Sequence, residues 1–416
     1  MKIKSLYQQR DNFFLELSST ARGGLIFLIV LGIASFAAGM IMGEHTRTWG
    51  SVLFNAMFFF SIALGGTAFA NMQDVIDATW GRPIKRIHES FSAFLPYVSA
   101  FFIVFLLCVK FDVLDAGKVY KWIENPSIVE HLFGKNVWLQ PNFMYIRDIL
   151  SLAGILYLTR WHYKLTTAAD QAFLSEKFEE GVRLGQHSHD QLRKWSAPVL
   201  VVYSILYSIL AFDLMMSLAP TWVSTLWAGW QFSVLMQTLF ATTLLVLFFL
   251  KKTPVGQFIG RQQFHDIGKL LFGFTAFYAY LTFAHVLTYW YTNMPEETSY
   301  FITRLKEPWL CYVIAAPFLS FLVPFILLVP KASKWTSYLA IPICIIVLVA
   351  QWINMMLVVT PEVLSENSSF SIPWIEIGVL LGFLAAFLLS VALRARKVPL
   401  LSLGDPLLYK ALSEKH

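Results

Sequence analysis

Residues 23–43 read GGLIFLIVLGIASFAAGMIMG and residues 372–393 read IPWIEIGVLLGFLAAFLLSVAL; the first run holds no charge and the second only Glu376. A hydrocarbon core about 30 Å thick takes about 20 predominantly apolar residues in a helix, so each run is long enough to cross it. A membrane-spanning strand takes about 9 to 11 residues and alternates apolar with polar side chains, which neither run does. Backbone groups in lipid must bond within their own segment, so continuous apolar runs of this length are helices. Eight further runs of this kind cover 50–74, 91–113, 141–164, 196–219, 222–250, 264–293, 308–329 and 336–360. The expectation is an all-α, polytopic integral membrane protein with ten transmembrane helices over 23–393, preceded by a segment 1–22 and followed by a tail 394–416.

Composition agrees. Of 416 residues, 57% are hydrophobic and 14% charged, against about 25% charged in an ordinary soluble domain. A net charge of +6 could suggest a nucleic-acid partner, but in a membrane chain charge is read by side. With Lys164 counted in the loop that it borders, 22 Lys and Arg fall in the N-terminal segment, the even-numbered loops and the tail, against 6 in the odd-numbered loops. The positive-inside rule then places both termini in the cytoplasm and explains the basicity as topology, not as a nucleic-acid footprint. The first run, 21 residues long, exceeds a signal-peptide core, so no cleavage is expected. Cys108, Cys311 and Cys344 all fall inside spans, with no C-x-x-C pair. Disulfides, zinc and a Cys-ligated iron–sulfur cluster are therefore not expected.

No connection can hold a globular domain. The longest, Leu165 to Trp195, is mixed in charge and is expected as a loop with at most a short surface helix. Its His187 and His189 point apart at i, i+2 on a helix, which argues against a metal pair. Trp222, Trp227, Trp230, Tyr289, Trp290 and Tyr291 sit near span ends as an interfacial aromatic belt.

Ionisable groups inside spans cost at least about 2.5 to 3.5 kcal/mol on insertion scales, so each is a functional or pairing candidate. They are Asp74, Arg147, Asp148, Asp213, His265, Asp266, Lys269 and His285. Lys110, Asp112 and Glu376 lie close enough to an interface to snorkel. In the seventh span His265, Gly268, Thr275, Tyr278, Thr282, His285 and Tyr289 share one helical face. That stripe is either a seam joining helices or a relay of hydroxyl and imidazole groups able to move protons. Asp213 matches Arg147 and Asp148 in depth, so an Arg147–Asp213 ion pair is expected, leaving Asp148 protonated or linked through water. Gln351 and Asn354 lie at similar depth and extend this expected outer cluster; Asp74, His88, Glu89, His265, Asp266 and Lys269 form an expected inner one. The proton-path candidates are Asp74, Arg147, Asp148, Asp213, His265, Asp266, Lys269, Tyr278, Thr282 and His285. A haem held within the membrane would want two deep His, and only His285 is deep.

The run Ala211-Phe-Asp-Leu-Met-Met-Ser-Leu-Ala-Pro-Thr-Trp222, followed by Ser224 and Thr225, resembles the F subunit of bacterial alternative complex III. So do His265-Asp-Ile-Gly-Lys-Leu-Leu-Phe-Gly-Phe274, Tyr289-Trp-Tyr-Thr-Asn-Met-Pro-Glu-Glu-Thr298 and the ending Gly404-Asp-Pro-Leu-Leu-Tyr-Lys-Ala-Leu-Ser413. That protein belongs to the polysulfide reductase membrane-subunit (NrfD-like) group. The resemblance implies two four-helix bundles, spans 2–5 and 6–9, with two peripheral helices, in the bacterial cytoplasmic membrane. It also implies a subunit of a quinol-oxidising respiratory complex that binds no redox cofactor or metal itself, contributes to proton translocation and can associate with quinone. Its implied partners are a sister NrfD-like subunit, an iron–sulfur protein and a multihaem cytochrome c, which would carry the haem and iron–sulfur clusters. Relatives carry an acidic residue and a His where this chain has Ala219 and Thr221, and more often Gln in place of His285. The alternatives from other classes are a purely structural anchor for such a complex and a secondary transporter.

Overall fold

The computed structural model describes residues 10–130, 132, 134–364 and 373–413. Lys2, Lys4 and Lys415, counted above in assigning sides, and Ile372, where the last expected span begins, lie outside them. Among the described residues there is no strand. Ten long helices are α1 Ser19–Ile41, α2 His45–Val75, α3 Arg82–Lys110, α4 Pro141–Leu174, α5 Phe178–Leu214, α6 Trp227–Leu250, α7 Arg261–Thr292, α8 Leu310–Leu328, α9 Ser337–Val363 and α10 Trp374–Ala395. Nine of these are long and apolar enough to cross a membrane, so the chain is an all-α, multi-pass membrane protein. The exception is α4, in which Arg147, Asp148, Arg160, His162 and Lys164 share one length of helix.

Helices α2 to α5 form one four-helix bundle, α6 to α9 a second, and α1 pairs with α10 on the flank. The axis of the molecule is α2, which touches α5, α6, α9 and α10. Its run from Val52 to Leu64 has no polar face apart from Asn55 and Ser61, and a helix apolar all round is buried on every side. The α1–α10 contact depends on glycine: a Cβ on Gly32 would lie 2.6 Å from the Gly382 Cα, so small residues let the backbones touch.

The expected loop 165–195 is not a loop. Helices α4 and α5 run through it as a helical hairpin and turn only at residues 175–177, where Glu176 adopts a positive φ of 63°. Gly185 of α5 and Ala169 of α4 pack against the backbone of Gly404 in the tail, so this hairpin is held by tertiary contact. Likewise α3 begins at Arg82, ahead of the apolar run at 91. Its first turns are rich in charge yet wholly buried, a feature that hydropathy cannot register. The two chain ends meet: the Leu15 amide donates to the Ala395 carbonyl (3.1 Å) and the Leu400 amide to the Phe13 carbonyl (2.8 Å).

Candidate functional site

The α2–α5 bundle carries an ionic cluster at each end. At the end away from the termini, Arg147 Nε donates to Asp213 Oδ2 at 2.6 Å, and Asp213 is wholly buried. The Trp138 indole donates to Asp213 Oδ1 at 2.8 Å, while the guanidinium lies 3.7 Å from the Trp138 ring and 4.4 Å from that of Phe143. Asp148, also wholly buried, finds no donor among the described residues and lies against the Asp213 carboxyl. One guanidinium and two carboxyls make a neutral group only when they hold one proton between them. Just outside, Lys135 Nζ donates to the carbonyls of Pro220 and Trp222 (2.8 Å to the latter), tying two connections over the cluster. Burial pushes its ammonium down to about 8.

At the termini end, Asp74 Oδ1 accepts from Arg82 (2.7 Å) and Lys85 (2.5 Å), and its Oδ2 faces His162 Nε2 at 3.3 Å. Arg86 bridges Glu89 and Asp170, 2.5 Å to each, and donates twice to Thr166. The tail closes the group: Asp405 lies 3.1 Å from Arg82, and the Gly404 amide donates to Asp170 at 2.9 Å. Charges this deep persist because each has opposite partners and several hydrogen bonds.

Between the clusters runs a seam. On α4, Asp148 and Ser151 are three apart and Thr159, His162, Thr166 and Asp170 follow at three and four, with the buried apolar Ile155 filling the step between Ser151 and Thr159, so they share one face. Opposite it on α5 stand Tyr203, Tyr207 and Asp213. The Thr159 and Tyr203 hydroxyls are 3.0 Å apart, and so are those of Ser61 and Tyr207. Asp148 and His162 are 14 residues apart, about 21 Å along the axis, most of a hydrocarbon core. The rungs at Tyr203, Tyr207 and Asp213 are about 6 and 9 Å apart in helix rise.

The α7 stripe behaves differently. Thr275, Tyr278, His285 and Tyr289 are all buried on one face. Gln237 donates to Thr275 (2.9 Å) and to the Ser320 carbonyl (2.8 Å), a carbonyl within the wide turn Phe318–Leu322 that follows Pro317 in α8. Gln351 donates to Gln237 and accepts from Asn354. The Tyr278 hydroxyl lies among the side chains of Ser320, Thr282 and Asn354. Farther out, His285 Nε2 meets the Ser224 hydroxyl at 2.7 Å. Toward the termini end, however, Ile267 and Leu271 fill the same face, and His265 packs on Trp335.

The expected Arg147–Asp213 pair is present, with Asp148 beside it. Asp74 and Glu89 share the inner cluster, but His265, Asp266 and Lys269 stand apart from it, Asp266 and Lys269 as a surface pair 2.6 Å apart. His88 is buried with both ring nitrogens lacking a protein partner among the described residues. Gln351 and Asn354 belong to the second bundle rather than to the Arg147 cluster, because equal depth says nothing about direction around the axis. Glu376 does not snorkel: it is wholly buried and takes Arg47 on both oxygens, at 2.8 and 3.0 Å. The α4 seam was not anticipated, although the spacing from Asp148 to Asp170 signals it. The role of the tail left no comparable signal. No family model and no curated protein matches this sequence.

Proposed function

We propose that this chain is a membrane subunit of a bacterial quinol-oxidising respiratory complex, holds no redox cofactor of its own, and passes protons through the α2–α5 bundle. The family reading rests on the stretches of sequence that resemble a membrane component of alternative complex III. The observation that carries the proton reading is the pair of buried ionic clusters about 21 Å apart, joined by the hydroxyl rungs Thr159–Tyr203 and Ser61–Tyr207. A cluster of two carboxyls and one guanidinium is neutral with one proton and charged without it, and at the other end of the seam His162 Nε2 faces Asp74 Oδ2 at 3.3 Å. Asp148, Asp213, Tyr207, Tyr203, Thr159, His162 and Asp74 are the path residues. The α7 groups from Thr275 to His285 serve the second bundle. With both termini cytoplasmic, as the Lys and Arg distribution supports, the Arg147 cluster faces outward and the Asp74 cluster inward. The partners are an iron–sulfur protein, a multihaem cytochrome c and a sister membrane protein, within the cytoplasmic membrane.

Extraction of native membranes in mild detergent tests the assembly: the chain should co-migrate with haem-staining cytochrome c and an iron–sulfur protein. Migration as a lone or homo-oligomeric species refutes it. In reconstituted vesicles, Asp148→Asn should keep the uncoupled rate of quinol oxidation and lower the protons displaced per electron. An unchanged ratio with normal assembly leaves the seam as packing and the chain as an anchor.

A further inference from the structure

A groove of about 330 Å³ lies between α1, α2, α3 and α10 on the flank of the molecule, and a smaller recess of about 150 Å³ lies at the end of α1 and α10 nearer the termini. We infer that together they bind one anionic phospholipid, an acyl chain in the groove and the phosphate on Arg22 and Arg396 of the recess. The inference needs only that the chain spans a membrane and does not rest on the proposed respiratory complex.

The lining of the groove fits a hydrocarbon chain. Ile29, Ile33 and Phe36 of α1 and Val379, Phe383 and Ala386 of α10 are all apolar, and the facing α3 wall adds the single hydroxyl of Tyr97. No other polar side chain stands in it, so nothing there has to be desolvated or matched when a saturated chain enters. Helices α1 and α10 touch at Gly32 and Gly382, which leaves the larger side chains on either side of the contact as the walls.

The recess continues the same two helix faces. Arg22, Ile29, Ile33 and Phe36 fall at steps of seven, four and three on α1, and Val379, Phe383, Ala386 and Leu393 at steps of four, three and seven on α10. Arg22 and Leu393 line the recess together with Leu389 and Arg396. Glu16 is its one carboxylate, so two guanidiniums leave a net positive charge. Both arginines are exposed and, among the described residues, neither has an ion-pair partner. Arg394, close by, is by contrast spent on the Glu89 carbonyl at 3.2 Å and the Ser92 hydroxyl at 2.6 Å. A guanidinium pairs with phosphate through two parallel hydrogen bonds, and a basic group at the membrane surface draws anionic lipid.

The spacing of the two parts matches one lipid. Arg22 to Phe36 is about 21 Å of helix and Arg396 to Val379 about 26 Å, against about 20 to 22 Å for one leaflet with its headgroup layer. Tyr97 leans toward the α3 N-terminus, hence toward the arginines, where the ester carbonyls of such a lipid lie. Acyl chains fill any groove on a lipid-facing surface; the two cations at the end of this one select the headgroup. A transmembrane helix of another protein could cover the groove, but its apolar face would leave the arginines without an anion.

The test uses the chain in whatever assembly native membranes yield, with a phosphatidylglycerol that carries a diazirine midway along one acyl chain as the probe. Light should label peptides within 29–36, 94–101 or 379–386. Excess dioleoyl phosphatidylglycerol should displace the label, and equal dioleoyl phosphatidylcholine should not. Arg22→Gln combined with Arg396→Gln should weaken that displacement about thirtyfold. Lys252→Gln combined with Arg261→Gln, at the same end of the second bundle, should leave it unchanged. Labelling absent from these peptides, equal displacement by phosphatidylcholine, or wild-type affinity in the Arg22 and Arg396 double variant each overturns the inference. A cross-link from the groove to another protein in place of the lipid overturns it as well.

Discussion

Two carboxyls beside one guanidinium should respond unequally to neutralisation. Arg147→Met leaves the Asp213 carboxylate, wholly buried, without its partner, and removing one member of a buried pair costs about 3 to 5 kcal/mol. The Trp138 and Phe143 rings lose their cation as well. Asp213→Asn is different. The new amide oxygen still accepts from the Trp138 indole, and Asp148, freed of its charged neighbour, can ionise and face Arg147. That variant should cost about 1 kcal/mol, the scale of one net hydrogen bond, and Asp148→Asn should cost no more. Combining Asp148→Asn with Asp213→Asn strands the guanidinium. The double variant should then lose about 2 to 3 kcal/mol beyond the sum of the single ones. Unfolding in mixed micelles titrated with SDS, followed by tryptophan fluorescence and circular dichroism, measures each corner of the cycle. Additive single variants, or an Asp213→Asn variant as costly as Arg147→Met, would refute the shared-proton cluster.

Arg304→Met should cost about 1 to 3 kcal/mol by orphaning the Leu357 carbonyl, to which Pro361 has no N–H to give, and the same SDS titration reads it; a neutral result means that Pro361 does not need the cap. Gly32→Val places a side chain against Gly382, so α1 should detach from α10 and become sensitive to added protease near Ser18, while Gly23→Val, with open space around it, should not. For topology, a Cys at His187, in a background where the exposed Cys311 is Ser, should resist an impermeant thiol reagent in intact cells and react after lysis. Ready labelling in intact cells would reverse the assigned sides.

Hydropathy made the all-helical membrane fold legible, and depth along the spans was enough to bring Arg147 to Asp213. Depth is one coordinate, however, and contacts need a second, the direction around the helix axis. That is why Gln351 and Asn354, level with Arg147, pair with Gln237 in the other bundle. It is also why Glu376, near a span end, looked free to reach water and instead holds Arg47 across 329 positions of sequence. Helical spacing supplies the missing direction only where polar residues recur, as on α4 from Asp148 to Asp170 and on α7 from Thr275 to Tyr289. For one isolated charge it supplies nothing. Asp405 has no periodic neighbour in the tail, yet it reaches Arg82 at the mouth of the first bundle. The buried charges at the helix ends follow the same logic. Arg82, Lys85 and Arg86 lower the hydropathy of the first turns of α3, which so read as a loop, although Asp74, Glu89, Asp170 and Asp405 neutralise them in the folded chain. A hydropathy window counts each charge as if it met lipid alone. The α2–α5 bundle hides its inner cluster from that count because cations and carboxylates from four segments meet only after folding.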